Sequence, residues 1–158
     1  MNALAHGTFV IERDFDCTPE AAFAAYADVE QRSQWGVPSE DERIVYAQAC
    51  FEVGGLDVYR CGPKEDLRYE GRVYYQDIVP DQRVVYLERV AAGSTLLSTS
   101  LITMEFMQQP GGTRLLLTAQ LVSFVGEGML QNAKRGTEAA LGRLGRSLQG
   151  TLGSAASR

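Results

Sequence analysis

The sequence predicts an α+β domain: one curved antiparallel sheet of about six to seven strands around a long C-terminal helix, with two short helices after the first strand. Three observations predict it. Leu130, Ala133, Thr137, Leu141, Leu144 and Leu148 recur at spacings of three and four, the single apolar stripe of one long helix. Upstream, alternating runs are separated by short Gly, Pro and Asp turns, so consecutive strands run antiparallel. Thr18-Pro19 and Asp28 mark the starts of two helices with little room to extend. A strongly twisted sheet curls around a single helix. One helix does not fill the whole concavity, which leaves room for a cavity.

The elements follow in order. Thr8 to Asp16 alternates as a strand, with Phe9, Ile11 and Phe15 on one side and Thr8, Glu12 and Asp14 on the other. Arg13 falls on the apolar side, where a charge needs a partner or water; Asp57 and Glu105 are candidates. Thr18 can cap the first helix and Pro19 fits its first turn, with Phe23 and Tyr26 on one face. Asp28 and Gln31 have the spacing of a capping box for a second helix ending near Trp35. Gly36 to Asp41 reads as a loop. Arg43 to Val53 reads as a strand, Gly54-Gly55 as a bulge or tight turn, and Leu56 to Cys61 as a continuation. Leu67 to Val79 puts Leu67, Tyr69, Gly71, Val73 and Tyr75 on one side. Pro80-Asp81 turns the chain into a strand over Arg83 to Val90. Thr99 to Met107 and Thr113 to Phe124 flank the hairpin signal Pro110-Gly111-Gly112. In the final helix Gly136, Gly142 and Gly145 each weaken the backbone by roughly 1 kcal/mol relative to Ala. They mark either close approach to another element or a weak last turn.

The chain has 158 residues with 45% hydrophobic and 22% charged composition, the balance of one globular domain. We place that domain at residues 1–152, with a frayed tail over 153–158. The net charge of -5 argues against a nucleic-acid binder, which needs a basic face. Lys134, Arg135, Arg143, Arg146 and Arg158 make the C-terminal part mildly basic, which fits a solvated helix face. Cys17, Cys50 and Cys61 are odd in number and lack metal-site spacing, so neither a disulfide framework nor a zinc site is expected. No signal peptide opens the chain and no apolar run is long enough to span a bilayer, so a reducing cytoplasm is the expected location.

Several short stretches, in this order and spacing, resemble a known family. They are Phe9-Val10-Ile11-Glu12-Arg13, Thr18-Pro19-Glu20-Ala21-Ala22-Phe23 leading to Trp35, and Val53-Gly54-Gly55. They continue with Asp77-Ile78-Val79-Pro80 before Val84-Val85-Tyr86, then Gly111-Gly112-Thr113-Arg114-Leu115, then Gly136-Thr137 before Leu141 and Leu144. Together they resemble the START-like (SRPBCC) superfamily, in the branch named after the activator of the ninety-kilodalton heat-shock protein's ATPase. Within it the chain is most similar to small stand-alone bacterial members that resemble the calicheamicin-sequestering resistance protein. The resemblance implies the helix-grip fold and an apolar cavity between sheet and C-terminal helix. It does not imply one activity: relatives include ligand carriers, polyketide cyclase- and aromatase-like enzymes and chaperone regulators. Many relatives have Gly-Trp where this chain has Gly136-Thr137, so the loss of an indole would leave space and place a hydroxyl there.

No catalytic set stands out. His6 is the sole histidine and lies before the first predicted strand, in a terminus expected to be mobile. Glu40-Asp41-Glu42 reads as a solvated loop, and Gly54-Gly55 lacks a phosphate-loop pattern. No metal or cofactor is expected. The ligand-binding candidates are Trp35, Arg60, Tyr69, Tyr75, Met104 and Thr137. Each has a structural reading beside the functional one. The tyrosines and Met104 serve equally as core, Trp35 as an anchor for the short helices, and Arg60 as the charged end of a strand after the Gly-Gly kink. The expected function is binding of a small apolar or aromatic molecule, for carriage, sequestration or sensing. A cyclase-, aromatase- or hydrolase-like enzyme using the same cavity is the alternative, since one acid or base from Arg or Tyr can suffice. A chaperone-interacting module ranks third. The expected partners are that ligand and neither nucleic acid nor membrane; monomer and homodimer are both open.

Overall fold

The computed structural model describes residues 4–156, with side chains over 4–149. Its elements are β1 (Ala5–Phe15), α1 (Pro19–Ala27), α2 (Val29–Trp35), β2 (Glu42–Gln48), β3 (Leu56–Pro63), β4 (Tyr69–Val79), β5 (Arg83–Ala92), β6 (Thr95–Gln109), β7 (Gly112–Ser123) and α3 (Gly128–Ala156). The seven strands form one antiparallel sheet in the order β1-β7-β6-β5-β4-β3-β2. This is the predicted helix-grip architecture, with both short helices after β1. No described helix is long and apolar enough to cross a membrane.

Local chemistry sets the helix starts. Thr18 Oγ1 accepts from Ala21 N at 3.2 Å, and Pro19 occupies the first turn of α1. Asp28 Oδ1 accepts from Glu30 N at 2.9 Å and caps α2. α1 then buries Ala22, Phe23, Ala25 and Tyr26, and α2 buries Arg32 and Trp35. The expected face of β4 is buried at Gly71, Val73 and Tyr75.

Three expectations are corrected. β2 stops at Gln48 rather than running to Val53. The Ala49-Cys50-Phe51 segment has strand-like composition, but Cys50 N is drawn to Asp57 Oδ1 at 2.7 Å and Phe51 packs against the core. The chain then folds back so tightly that a Cβ at Gly55 would lie 2.2 Å from the Cys50 carbonyl oxygen. His6 is not in a loose terminus: it lies within β1, opposite Val122 of β7. Arg13 pairs with neither Asp57 nor Glu105; its Nη1 donates to the Glu12 carbonyl at 3.0 Å.

The C-terminal helix divides in two along its stripe. Leu141, Leu144 and Leu148 are buried, whereas Leu130, Ala133 and Thr137 are half-buried. α3 packs mainly on β1, and also on α2, β7 and α1. Leu130 reaches Gly7 of β1, where a Cβ would meet its Cδ1 at 3.2 Å. The helix glycines differ: Gly145 lies against the Phe15 ring, while a Cβ at Gly136 would meet nothing within 4 Å. The backbone of residues 153–156 continues α3; residues 157–158 of the expected tail lie outside the described residues.

Candidate functional site

The concave face of the sheet carries most of the core, and polar side chains are set into it at two places. Register defines the rows. One row crosses Asp57, Val73, Glu88, Ser100, Leu121 and Gly7; the next crosses Tyr59, Gly71, Val90, Ser98, Ser123 and Ala5. Tyr75, Tyr86 and Ile102 continue the same face toward α1.

The first polar cluster centres on Arg32. It lies three residues before Trp35 on a short helix, so both side chains share the face turned inward. Its Nη2 pairs with Asp57 Oδ2 at 2.9 Å, with the two side chains 5% and 1% exposed. Nη1 donates to the Tyr26 carbonyl at 2.8 Å and to Tyr75 Oη at 3.3 Å, and Nε donates to Tyr46 Oη at 3.0 Å. Tyr75 Oη also donates to Asp57 Oδ2, at 2.5 Å. The guanidinium carbon sits 4.6 Å from the Tyr26 ring centre and 4.8 Å from that of Tyr46. Burial works against the Arg32 charge, but the surrounding phenol oxygens and Asp57 outweigh it and hold its pKa above the ordinary value. Burial pushes the Tyr46 hydroxyl up to about 12, against the lowering effect of Arg32. Every group in this cluster is engaged by protein. It is a strut joining α2 to β2, β3 and β4.

The second cluster is less complete. A Cβ at Gly71 would lie 1.9 Å from the Tyr59 ring, so only glycine there lets that ring lie across β4. Tyr59 Oη thereby reaches Glu88 Oε2 on β5, donating at 2.8 Å. Burial raises the Glu88 pKa above its ordinary value, although the Tyr59 hydrogen bond and Arg32 pull it down. Ser100 stands opposite Glu88, and Ser98 one row over. The serines are 9% and 3% exposed. Neither hydroxyl is bonded to another described residue, and neither oxygen is sealed from solvent. The same holds for Glu88 Oε1.

Aromatic rings surround these groups. Tyr26 stacks on Tyr86 with centroids 6.0 Å apart, Phe51 meets Tyr75 edge-on at 5.1 Å, and Tyr46 tilts against Tyr59 at 5.6 Å. Two open depressions lie elsewhere. One of about 420 Å³ is on the outer side of the β1–β7 pair beside His6, Thr8 and Gln120; another of about 340 Å³ is beside Pro19, Asp81 and Gln108. The first has no Phe, Tyr or Trp in its lining, and the second has Phe106 alone.

The candidates from sequence fall in different places. Trp35, Tyr75 and Met104 join the buried core. Trp35 Nε1 donates to the Ala25 carbonyl at 2.9 Å. Arg60 is exposed and donates twice to the Leu67 carbonyl, at 3.2 and 2.9 Å, holding the β3–β4 connection. Tyr69 is half-buried beside Gly62. Thr137 is half-buried, and its hydroxyl donates to the Ala133 carbonyl of its own helix at 2.8 Å. Sequence reasoning missed Arg32, Tyr59, Glu88, Ser98 and Ser100. No group of three or more His, Cys, Asp or Glu side chains among the described residues could hold a metal ion.

Comparison with known proteins places this geometry. A family model described as "Activator of Hsp90 ATPase homolog 1-like protein" matches residues 16–153. The structure is similar to that of a protein from Rhizobium leguminosarum, at TM-score 0.85 and 29% identity, covering 94% of this chain and 98% of that one. It is also similar to Mll3558 from Rhizobium loti, at TM-score 0.78 and 34% identity, covering 93% and 100%. The AHSA1 protein from Silicibacter pomeroyi shares the fold at TM-score 0.70 and 21% identity, covering 90% and 98%. Comparison with curated proteins gives no match.

Proposed function

This chain belongs to the activator of Hsp90 ATPase homolog 1-like family, and from that premise we propose that it binds a small, mostly apolar or aromatic molecule between the concave face of the sheet and α3, as a carrier, sequestering protein or sensor. One observation carries this reading. The apolar stripe of α3 is buried over its C-terminal half and only half-covered over Leu130, Ala133 and Thr137. A half-covered apolar stripe on the helix that packs on an aromatic-walled sheet offers apolar surface with a few polar groups, the usual composition of a small-molecule site. An isolated half-covered stripe would be ordinary surface; here its Leu130 reaches Gly7 of β1, which lies in the sheet row of Leu121, Ser100 and Glu88.

Native mass spectrometry of the protein isolated from its own host tests the reading, together with titration by 2-methylnaphthalene as a neutral aromatic probe. The expected result is one small molecule per chain, or saturable binding of the probe. At a hundredfold excess over Kd, such binding adds about 2.7 kcal/mol, or roughly 5–10 °C in melting temperature for a chain of this size. A bare mass together with no saturable binding would overturn it.

A further inference from the structure

The geometry points to an accepting subsite inside this concavity: Glu88, Ser98 and Ser100 take a cationic nitrogen, such as a primary ammonium, carried by an otherwise apolar ligand. This rests on the reading that the space between sheet and α3 holds a ligand.

The subsite is built by the fold. Gly71 clears the path for the Tyr59 ring, and Tyr59 fixes Glu88 through one carboxylate oxygen. The other oxygen is left without a described partner. Ser100 is directly across the β5–β6 ladder and Ser98 lies diagonally, the two distances over which side chains on one sheet face can converge on a common partner. Three acceptors therefore line one patch of the inner face, matching the three N–H donors of an ammonium.

The Ser98 and Ser100 hydroxyls and Glu88 Oε1 have no protein partner among the described residues and are not sealed from solvent, so a ligand donor can reach them. Burial has also made the carboxylate charge unfavourable, which a bound cation would relieve. The Arg32 guanidinium, whose field reaches Glu88, spends its hydrogen bonds on Asp57, Tyr26, Tyr46 and Tyr75 and makes none to Glu88. An anionic ligand would instead face the like charge of the Glu88 carboxylate.

Three naphthalene probes of matched shape test this by calorimetric titration: 2-naphthylmethylammonium, 2-methylnaphthalene and 2-naphthoate. The ammonium is expected to bind roughly tenfold or more tightly than the methyl compound, the scale of a charge-assisted hydrogen bond, and naphthoate weakest. Glu88→Gln should bring the ammonium to near parity with the methyl compound and leave the methyl compound's affinity unchanged. Ser100→Ala should weaken the ammonium severalfold with the same null effect on the methyl compound. If Glu88→Gln does not fold, the wild-type ranking and Ser100→Ala still decide. Equal binding of ammonium and methyl probes, or a preference for naphthoate, would overturn the subsite while leaving ligand binding in place. Absence of binding by all three probes, with a bare native mass, would remove the ligand-binding reading and this subsite with it.

Discussion

Removing Arg32 would leave Asp57 as a buried charge without its cation, and that fixes the scale of the effect. Asp57 is 1% exposed and would keep only the Cys50 amide and the Tyr75 hydroxyl as donors. Breaking a buried ion pair by deleting one partner costs about 3–5 kcal/mol. Arg32→Met retains much of the side-chain volume, so the loss reports charge and hydrogen bonding rather than a void. Equilibrium urea unfolding of Arg32→Met should show a loss of that size. A loss below about 1 kcal/mol, the range of exposed pairs, would mean that the cluster is solvated and is not a strut. The sequence holds partial notice of such residues. Arg32 shares a helix face with Trp35; Asp57 alternates with Tyr59; Glu88 has the parity of Val84 and Tyr86; Ser98 and Ser100 have the parity of Ile102 and Met104. A polar residue at an apolar position marks an internal partner or an internal opening. Parity alone does not say which, because the partners come from distant strands. Reading Asp57 as a partner for Arg13 identified the right kind of residue and the wrong cation.

At the scale of elements, side was legible and extent was not. Alternation gave the buried faces of β1 and β4, because a side-chain period of two is a property of the strand itself. The end of β2 depended on Asp57 capturing the Cys50 amide and on Gly55 packing against the Cys50 carbonyl, both contacts across a turn. The role of Gly71 was hidden for the same reason. In sequence it was one more residue on the inner side of β4, and only the β3–β4 register sets Tyr59 over it. Gly71→Ala therefore tests the joint between the two strands. The new methyl meets a ring carbon at 1.9 Å, so Tyr59 must swing away and lose Glu88. Overpacking of this kind costs about 1–3 kcal/mol. In the background Tyr59→Ala the same Gly71→Ala change should cost little, because the obstructing ring is gone. A double-mutant cycle by urea unfolding measures this coupling. Additive effects would show that the clash is relieved without moving Tyr59.

For the whole molecule the deciding question is whether the space under the N-terminal half of α3 is open or filled, and Thr137 addresses it. Thr137 lies on the stripe of Leu130, Leu141 and Leu148, so its position turns toward the sheet, yet it is only half-buried. Its hydroxyl is already bonded to the Ala133 carbonyl, so the residue offers a ligand room rather than a hydrogen bond. The neighbouring Gly136 has nothing within 4 Å of its Cβ direction. At the other end of the helix Leu144 is fully enclosed, and a Cβ at Gly145 would already be in van der Waals contact with the Phe15 ring, so an indole there would press on that ring. Thr137→Trp should accordingly place an indole over the inner face, block 2-methylnaphthalene, and leave the melting temperature unchanged or raised. A closed core would respond with the opposite sign. Overpacking by about 1–3 kcal/mol lowers the melting temperature of a chain this size by roughly 2–10 °C. Gly145→Trp serves as the internal comparison and should show that loss. If Thr137→Trp falls as far as Gly145→Trp, the helix is packed against the sheet along its whole length, and the concavity holds side chains rather than a ligand.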